Sequence, residues 1–415
     1  MIDSSNEDAE KPIMPLPEVS LGQLFTVFLR IGCIAFGGLM ALISVIEDHV
    51  VRQRRWMSQE TMLDGVSLAN LLPGPIAVNV VAYAGYRIRG GPGALAATVG
   101  VILPSWVLIT ILTYVYFRFG EIEFLKQAFR GFLPAVAGII LAVAWRMAGK
   151  AMRQRREVML IALAFLLILL VPPSLKLYVT VSIVVVWGFV GWRLFRGEFA
   201  STNASMVKLP YRLLLVVAVL LGGICVLSLL PLPIAPDGVP RLALTFSGLS
   251  VMLFGGGYVF IPMIQEVVVG QYQWVTSEQF VNGIALGQIT PGPILISAAF
   301  IGQRVAGIPG SLVATAAIFA PPAILMVAAS RVLEGLKRSA AIQAALRGVR
   351  LGVIGMIFSA VVVILRSALS PWPPGWGEVW PIGLIFGLTL VALLRFQVAI
   401  VWIIPAAGLL GLVLF

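Results

Sequence analysis

The chain has 415 residues, of which 60% are hydrophobic and 11% charged, against about 25% charged in a soluble domain. Apolar runs near the ~20 residues that cross a bilayer recur along the whole length, which points to an all-α polytopic membrane protein and not to a β-barrel, whose mark is short alternating segments. The net charge of +11 lies in short loops between apolar runs, so it reads as membrane orientation and not as a nucleic-acid surface.

Residues 1–20 are acidic and polar, without the basic start and apolar core of a secretory signal, and a disordered tail is expected. A membrane repeat is expected over 21–194. Its first span, about 21–46, has Arg30 inside it and Phe36-Gly37-Gly38 near its middle. A polar turn with Arg52, Arg54, Arg55 and Trp56 precedes a second span, about 61–86, which Pro73-Gly74-Pro75 interrupts. Spans at about 93–117, 129–147, 158–171 and 175–194 follow. Residues 195–240 read as a linker with an extra transmembrane helix. A second membrane repeat, 241–415, holds spans at about 242–265, 280–301, 310–333, 344–365, 379–394 and 398–415, thirteen in all.

The second repeat restates the first. Phe36-Gly37-Gly38 returns as Phe254-Gly255-Gly256, Trp56 as Trp274, Gly65 as Gly283 and Pro73-Gly74-Pro75 as Pro291-Gly292-Pro293, all 218 residues on. After a one-residue slip, Pro104 returns as Pro321, Arg130-Gly131 as Arg347-Gly348 and Gly138 as Gly355, 217 residues on. One offset kept over a hundred residues marks an internal duplication. Matched halves that start seven spans apart are inserted in opposite senses, an architecture common among secondary transporters. The basic loops around 146–156 and 331–350 then fall on the side of the N-terminus, which puts that terminus in the cytoplasm and the C-terminus outside. The cluster Arg52, Arg54 and Arg55 falls on the wrong side unless the Gly-Gly or Pro-Gly-Pro elements turn back within the membrane.

Proline breaks a helix, and backbone freed inside a membrane needs partners other than lipid. A half-helix that starts after Pro-Gly-Pro aims N–H groups and the positive end of its dipole at the break, which suits an anion. Candidate substrate-binding residues are therefore Asn70, Pro73, Gly74, Pro75 and Asn79 in the first copy, with Gln288, Thr290, Pro291, Gly292, Pro293 and Ser297 in the second. The polar side chains have a second possible role, satisfying backbone freed at the break. Gly255, Gly256 and Gly257 serve either close helix packing or a further break. Arg30 is either an intramembrane cation or an arginine reaching the surface. Arg130 and Arg347, each beside a glycine at the start of a span, are either gate residues or ordinary interfacial arginines. Asp64, whose repeat position holds Asn282, is the one carboxylate near the membrane interior available for coupling.

At these repeated motifs the chain resembles the chromate ion transporter superfamily, in its long-chain, two-domain form. The residues that carry the resemblance are Phe254 to Tyr258, Trp274, Glu278, Phe280, Gly283 to Pro293 and the degenerate first copy Phe36-Gly37-Gly38, Trp56 and Asn70 to Pro75. The first copy departs from the pattern where Leu39-Met40 stands for Gly257-Tyr258. The resemblance implies an inner-membrane exporter of chromate, with sulfate as isosteric competitor and no cofactor. Expected partners are a chromate- or sulfate-like oxyanion, the lipid bilayer and, if it forms a homodimer, a second copy. One histidine, His49, and two cysteines, Cys33 and Cys225, leave no multi-histidine metal site or disulfide frame. No nucleophile–base pair argues for an enzyme, and no phosphate-cradling Gly-x-x-x-x-Gly-Lys-Ser/Thr sequence argues for ATP as the energy source.

Overall fold

The computed structural model describes residues 19–36, 39–120, 122–172, 175–199, 223, 235, 238–253, 260–330, 339–369 and 376–415. Secondary structure among them is entirely helical, and five helices are long and apolar enough to cross a membrane. The protein is thus an all-α polytopic membrane protein. The expected extra helix of the linker, the tail and Gly255–Gly257 lie outside the described residues.

The first half contains α1 (Leu21–Ile34), α2 (Leu39–Ile46) running into a π-helical turn (Glu47–Gln53), α3 (Gln59–Leu71), α4 (Ile76–Phe119), α5 (Glu123–Ala151), α6 (Arg155–Leu170) and α7 (Lys176–Phe199). The second contains α8 (Val239–Met252), α9 (Phe260–Gln265) running into a π-helical turn (Glu266–Gln271), α10 (Ser277–Ile289), α11 (Ser297–Ala329), α12 (Ala340–Ala368), α13 (Trp376–Leu394) and α14 (Ile400–Leu414). The correspondence extends to backbone detail. Gly74 and Gly292 have φ of +100° and +105°, Gly90 and Gly307 of +63° and +62°, and Arg55 and Gln273 of +53° each.

Helix starts are capped as their sequences dictate. Ser20 and Gln23 form a reciprocal capping box on α1, and Thr276 and Gln279 form one on α10. In each, the glutamine N–H donates to the cap hydroxyl and the cap N–H donates to the glutamine side chain, so two otherwise unpartnered donors are satisfied.

The sequence-predicted span 61–86 is not one crossing. Gly65 of α3 lies under the ring of Tyr83 in α4, so the chain folds back on itself at Pro73-Gly74-Pro75. Gly283 lies in the same way under Phe300. A second reversal follows at Arg89 and Gly90, whose backbone is non-helical, and it brings Gly85 against the carbonyl of Gly93. In the second half Ala306 and Gly307 reverse the chain and bring Gly302 against Gly310. The predicted span 21–46 also stops short: α1 ends at Ile34, and Ala35 and Phe36 are non-helical. The chain beyond it returns to its origin, because Arg54 and Trp56 share a cavity with Val19, Ser20 and Gln23. Each half therefore opens with helical hairpins ahead of its long helices. At 1.5 Å per residue an arm of 13 or 14 residues reaches only about 20 Å, against about 30 Å of hydrocarbon.

The halves interlock. The long arms of α4 and α11 pack together, with Trp106 Nε1 donating to Ser311 Oγ at 3.1 Å. Helix α5 packs against α13 and α14 of the other half, and α12 against α6 and α7. Glycines set these approaches: Gly131 faces the Ala407 carbonyl, Gly348 faces Gly191 and the Trp187 carbonyl, and Gly355 faces the Ile161 carbonyl. Small residues at helix crossings let backbones approach in a setting where apolar burial gives no drive between helices.

Candidate functional site

The hairpin tips meet across the two halves. The Gly74 N–H donates to the Leu253 carbonyl at 2.5 Å, and the Gly292 N–H donates to the Ala35 carbonyl at 2.9 Å. Ala35 and Leu253 are repeat-related, so each Pro-Gly-Pro glycine closes the helix break of the opposite half. The positive φ of both glycines turns the N–H outward for that bond, a conformation L side chains rarely adopt. Two residues that sequence reasoning passed over line the junction. Ser105 Oγ donates to the Pro291 carbonyl, and its repeat mate Pro322 packs on Gly74. The signal for both was their place directly after the matched Pro104 and Pro321.

All six residues of the two Pro-Gly-Pro triplets are buried. The polar candidates around them serve their own breaks. Asn79 Nδ2 donates to the Pro73 carbonyl at 3.0 Å, Thr290 Oγ1 to the Gly287 carbonyl at 2.8 Å, and Ser297 Oγ to the Ile294 carbonyl at 3.5 Å. Asn70 Nδ2 donates to the Val66 carbonyl at 2.8 Å and is exposed. Gln288 is buried. Neither helix start after the break carries a side-chain cap: Pro75 precedes α4, and Pro293 precedes the short 3₁₀ turn at 294–296 that leads into α11. The first-turn N–H groups of an α-helix lack partners within the helix, so these starts hold donors and positive dipole ends at the buried junction.

The remaining candidates lie elsewhere. Arg30 is exposed and lines a cavity of about 770 Å³ with Gln23, Thr26, Arg54 and Trp56. Asp64 is half-buried on α3, while Asn282 is fully buried and its Nδ2 donates to the Tyr116 hydroxyl at 3.2 Å. Arg130 and Arg347 differ despite their repeat relation. Arg130 is exposed. Arg347 bonds Glu157 through Nη2 and Glu198 through Nη1, both at 2.5 Å, and sits 4.4 Å from the centre of the Phe195 ring. Arg156 completes the network with Glu198 and the other contact to Phe195. Burial pushes the Glu157 carboxyl up, but the Arg153 and Gln154 N–H groups and Arg347 outweigh it and hold it below the usual carboxylate range. Among the described residues no cluster of His, Cys, Asp and Glu could hold a metal ion.

Residues 22–192 and again 240–412 match the family described as Chromate transporter. The chain belongs to the chromate transporter family. Each matched stretch covers one copy of the Pro-Gly-Pro hairpin and the long helices after it. A chromate transport protein of Cupriavidus metallidurans is 29% identical over 406 residues, which is 96% of this chain and 94% of that protein. An uncharacterized transporter of Methanocaldococcus jannaschii is 30% identical over 83% of this chain and 84% of its own. A probable chromate transport protein of Synechococcus elongatus is 29% identical over 88% and 90%. No solved structure matches the chain.

Proposed function

We propose that the protein is a secondary transporter that exports chromate across the cytoplasmic membrane and so confers chromate resistance. The observation that carries the reading is the buried meeting of the hairpin tips, with two uncapped helix starts beside it, in a chain of this family. A tetrahedral dianion there accepts backbone N–H groups from both halves, Ile76 to Val78 on one side and Ile294 to Leu295 on the other, so no cation has to be buried for it. The side chains of Asn79, Thr290 and Ser297 stabilise the broken backbone, and the triplets themselves shape the cradle.

The hairpins return to the face they left, so the crossings of the first half are the long arm of α4, then α5, α6 and α7. Counting the one span that the sequence predicts in the linker, the second half starts five crossings later, an odd number, and is inverted. The N-terminus is cytoplasmic and the C-terminus outside. Arg52, Arg54 and Arg55 then lie on the cytoplasmic face with the other basic loops, as the bias of positive charge requires. Inverted halves joined at their tips suit alternating access by rocking of one half against the other. Export of a dianion follows the membrane potential, worth about 2.3 kcal/mol per charge per 100 mV, without a proton relay.

The test is uptake of labelled chromate into inverted membrane vesicles, with sulfate, molybdate and phosphate as competitors. Saturable uptake that sulfate inhibits is expected. Replacing Pro73-Gly74-Pro75 or Pro291-Gly292-Pro293 by alanines abolishes it while leaving membrane insertion intact; full uptake by both variants overturns the site assignment. Sulfate taken up in preference to chromate makes sulfate the substrate, and uptake without counterflow makes the protein a channel.

A further inference from the structure

The junction between the tips needs a mouth, and one cavity has the chemistry of a mouth for anions. It holds about 500 Å³ and is lined by Lys150 at the end of α5, Arg153 in the turn to α6, Arg347 and Arg350 of α12, and Asn70 at the end of α3. Among the described residues that line it there is no carboxylate. Glu157 and Glu198 neutralise Arg347 from outside the cavity. Among the described residues no carboxylate forms a salt bridge with the side chain of Lys150, Arg153 or Arg350; Glu157 meets Arg153 only through its backbone N–H. Arg350 Nη2 donates to the Asn70 carbonyl at 3.0 Å, which places its guanidinium three residues ahead of Pro73. The cavity thus runs from exposed cations to the base of the first Pro-Gly-Pro tip.

The opposite mouth is different. At the offset of 217, Lys150, Arg153 and Arg350 correspond to Ser367, Ser370 and Leu133, so three of these cations have no counterpart. A duplication that kept its glycines and prolines has placed this charge on one side only.

We propose that this cavity is the capture site for the doubly charged oxyanion on its way to the tips. The inference rests on the transport reading above and adds to it a second, cation-lined binding site at one face. Clustered guanidinium and ammonium groups recognise tetrahedral oxyanions through charge-assisted hydrogen bonds, and a mouth of one sign raises the local anion concentration. The site is partly open, so its effect weakens with ionic strength.

The experiment uses the full chain, purified and reconstituted into phosphatidylcholine vesicles without anionic lipid. Initial chromate transport is measured from each face for the wild type, for Lys150→Gln with Arg153→Gln, and for Arg350→Gln. The KM from the face of Lys150 is expected to rise about tenfold in either variant with kcat little changed, the pattern of lost ground-state binding. The KM from the other face stays as it was, and the salt dependence of the first face flattens. Arg350→Gln also removes a bond to Asn70; the double variant does not, so one remains informative if the other fails to fold. An unchanged KM, or an equal rise at both faces, overturns the capture site. Competition by added phosphatidylglycerol that only the wild type shows assigns the cavity to a lipid phosphate and overturns it too. A wild type that moves no chromate overturns the transport reading itself.

Discussion

At the scale of single residues, the tip glycines carry two constraints at once. Gly74 has a φ of +100°, and a Cβ there meets the ring of Pro322, which cannot swing away. The strained backbone costs an L residue about 1–3 kcal/mol, and overpacking adds about as much again. Gly74→Ala is expected to lower the unfolding midpoint of the purified protein sharply, and adding Pro322→Ala restores only part of the loss because the φ remains. Full restoration shows that sterics alone require the glycine. Gly90 also has positive φ, but nothing lies within reach of an added Cβ. Its ψ of −154° puts it in a region open essentially to glycine alone, so Gly90→Ala is still expected to cost about 1–3 kcal/mol, read as a lowered unfolding midpoint, without the overpacking that Gly74→Ala adds. Ser105→Ala leaves the buried Pro291 carbonyl short of a donor, with a penalty of about 1–3 kcal/mol.

At the scale of elements, α6, α7 and α12 are tied at one end by Glu157, Arg347, Glu198 and Arg156 around Phe195. The Glu157 side chain is fully buried. Arg347→Ala leaves it without its cation, which costs about 3 kcal/mol; two backbone N–H bonds remain to soften the loss. The pH dependence has a definite sign. The folded pKa of Glu157 lies below the unfolded value, so its contribution is complete above the ordinary carboxylate range and is lost as pH falls through the folded value. Acid titration of the unfolding midpoint is expected to show that loss in the wild type and to show it diminished in Glu157→Gln. Much at this scale was legible in the sequence. The helix breaks at Pro-Gly-Pro stood in the residue pattern. The direction of the chain after each break did not, because apolar periodicity is the same whether a helix continues or folds back. Arg350 was visible only as a loop charge, since its role depends on Asn70, 280 residues away. The clasp of α5 by α13 and α14 is likewise non-local, and nothing in the separate sequences of those helices marks it.

At the scale of the whole molecule, the hairpins change which loops share a face. If 21–46 and 61–86 were crossings, the loop with Arg54 would lie opposite the N-terminus. With both segments folded back, the start of α1 at Ser20, Arg54 and the Arg89 reversal all lie on one side, and the α4–α5 turn at Gly120 lies on the other. The positive charge then gathers more fully on the N-terminal face, and the capture cavity with Lys150 and Arg153 opens on that face too. Single cysteines at Arg54, Arg89, Gly120 and Lys150, in a chain with Cys33 and Cys225 replaced by serine, test this in intact cells and inverted vesicles with a membrane-impermeant thiol reagent. Positions 54, 89 and 150 are expected to label only in inverted vesicles, and position 120 only in intact cells. Labelling at 54 from outside, with 89 and 150 still inside, means that the first hairpin crosses the membrane after all. It also leaves the tip of α1 without a fold-back to hold Ala35 under Gly292, and the inverted meeting of the halves loses one of its two reciprocal bonds.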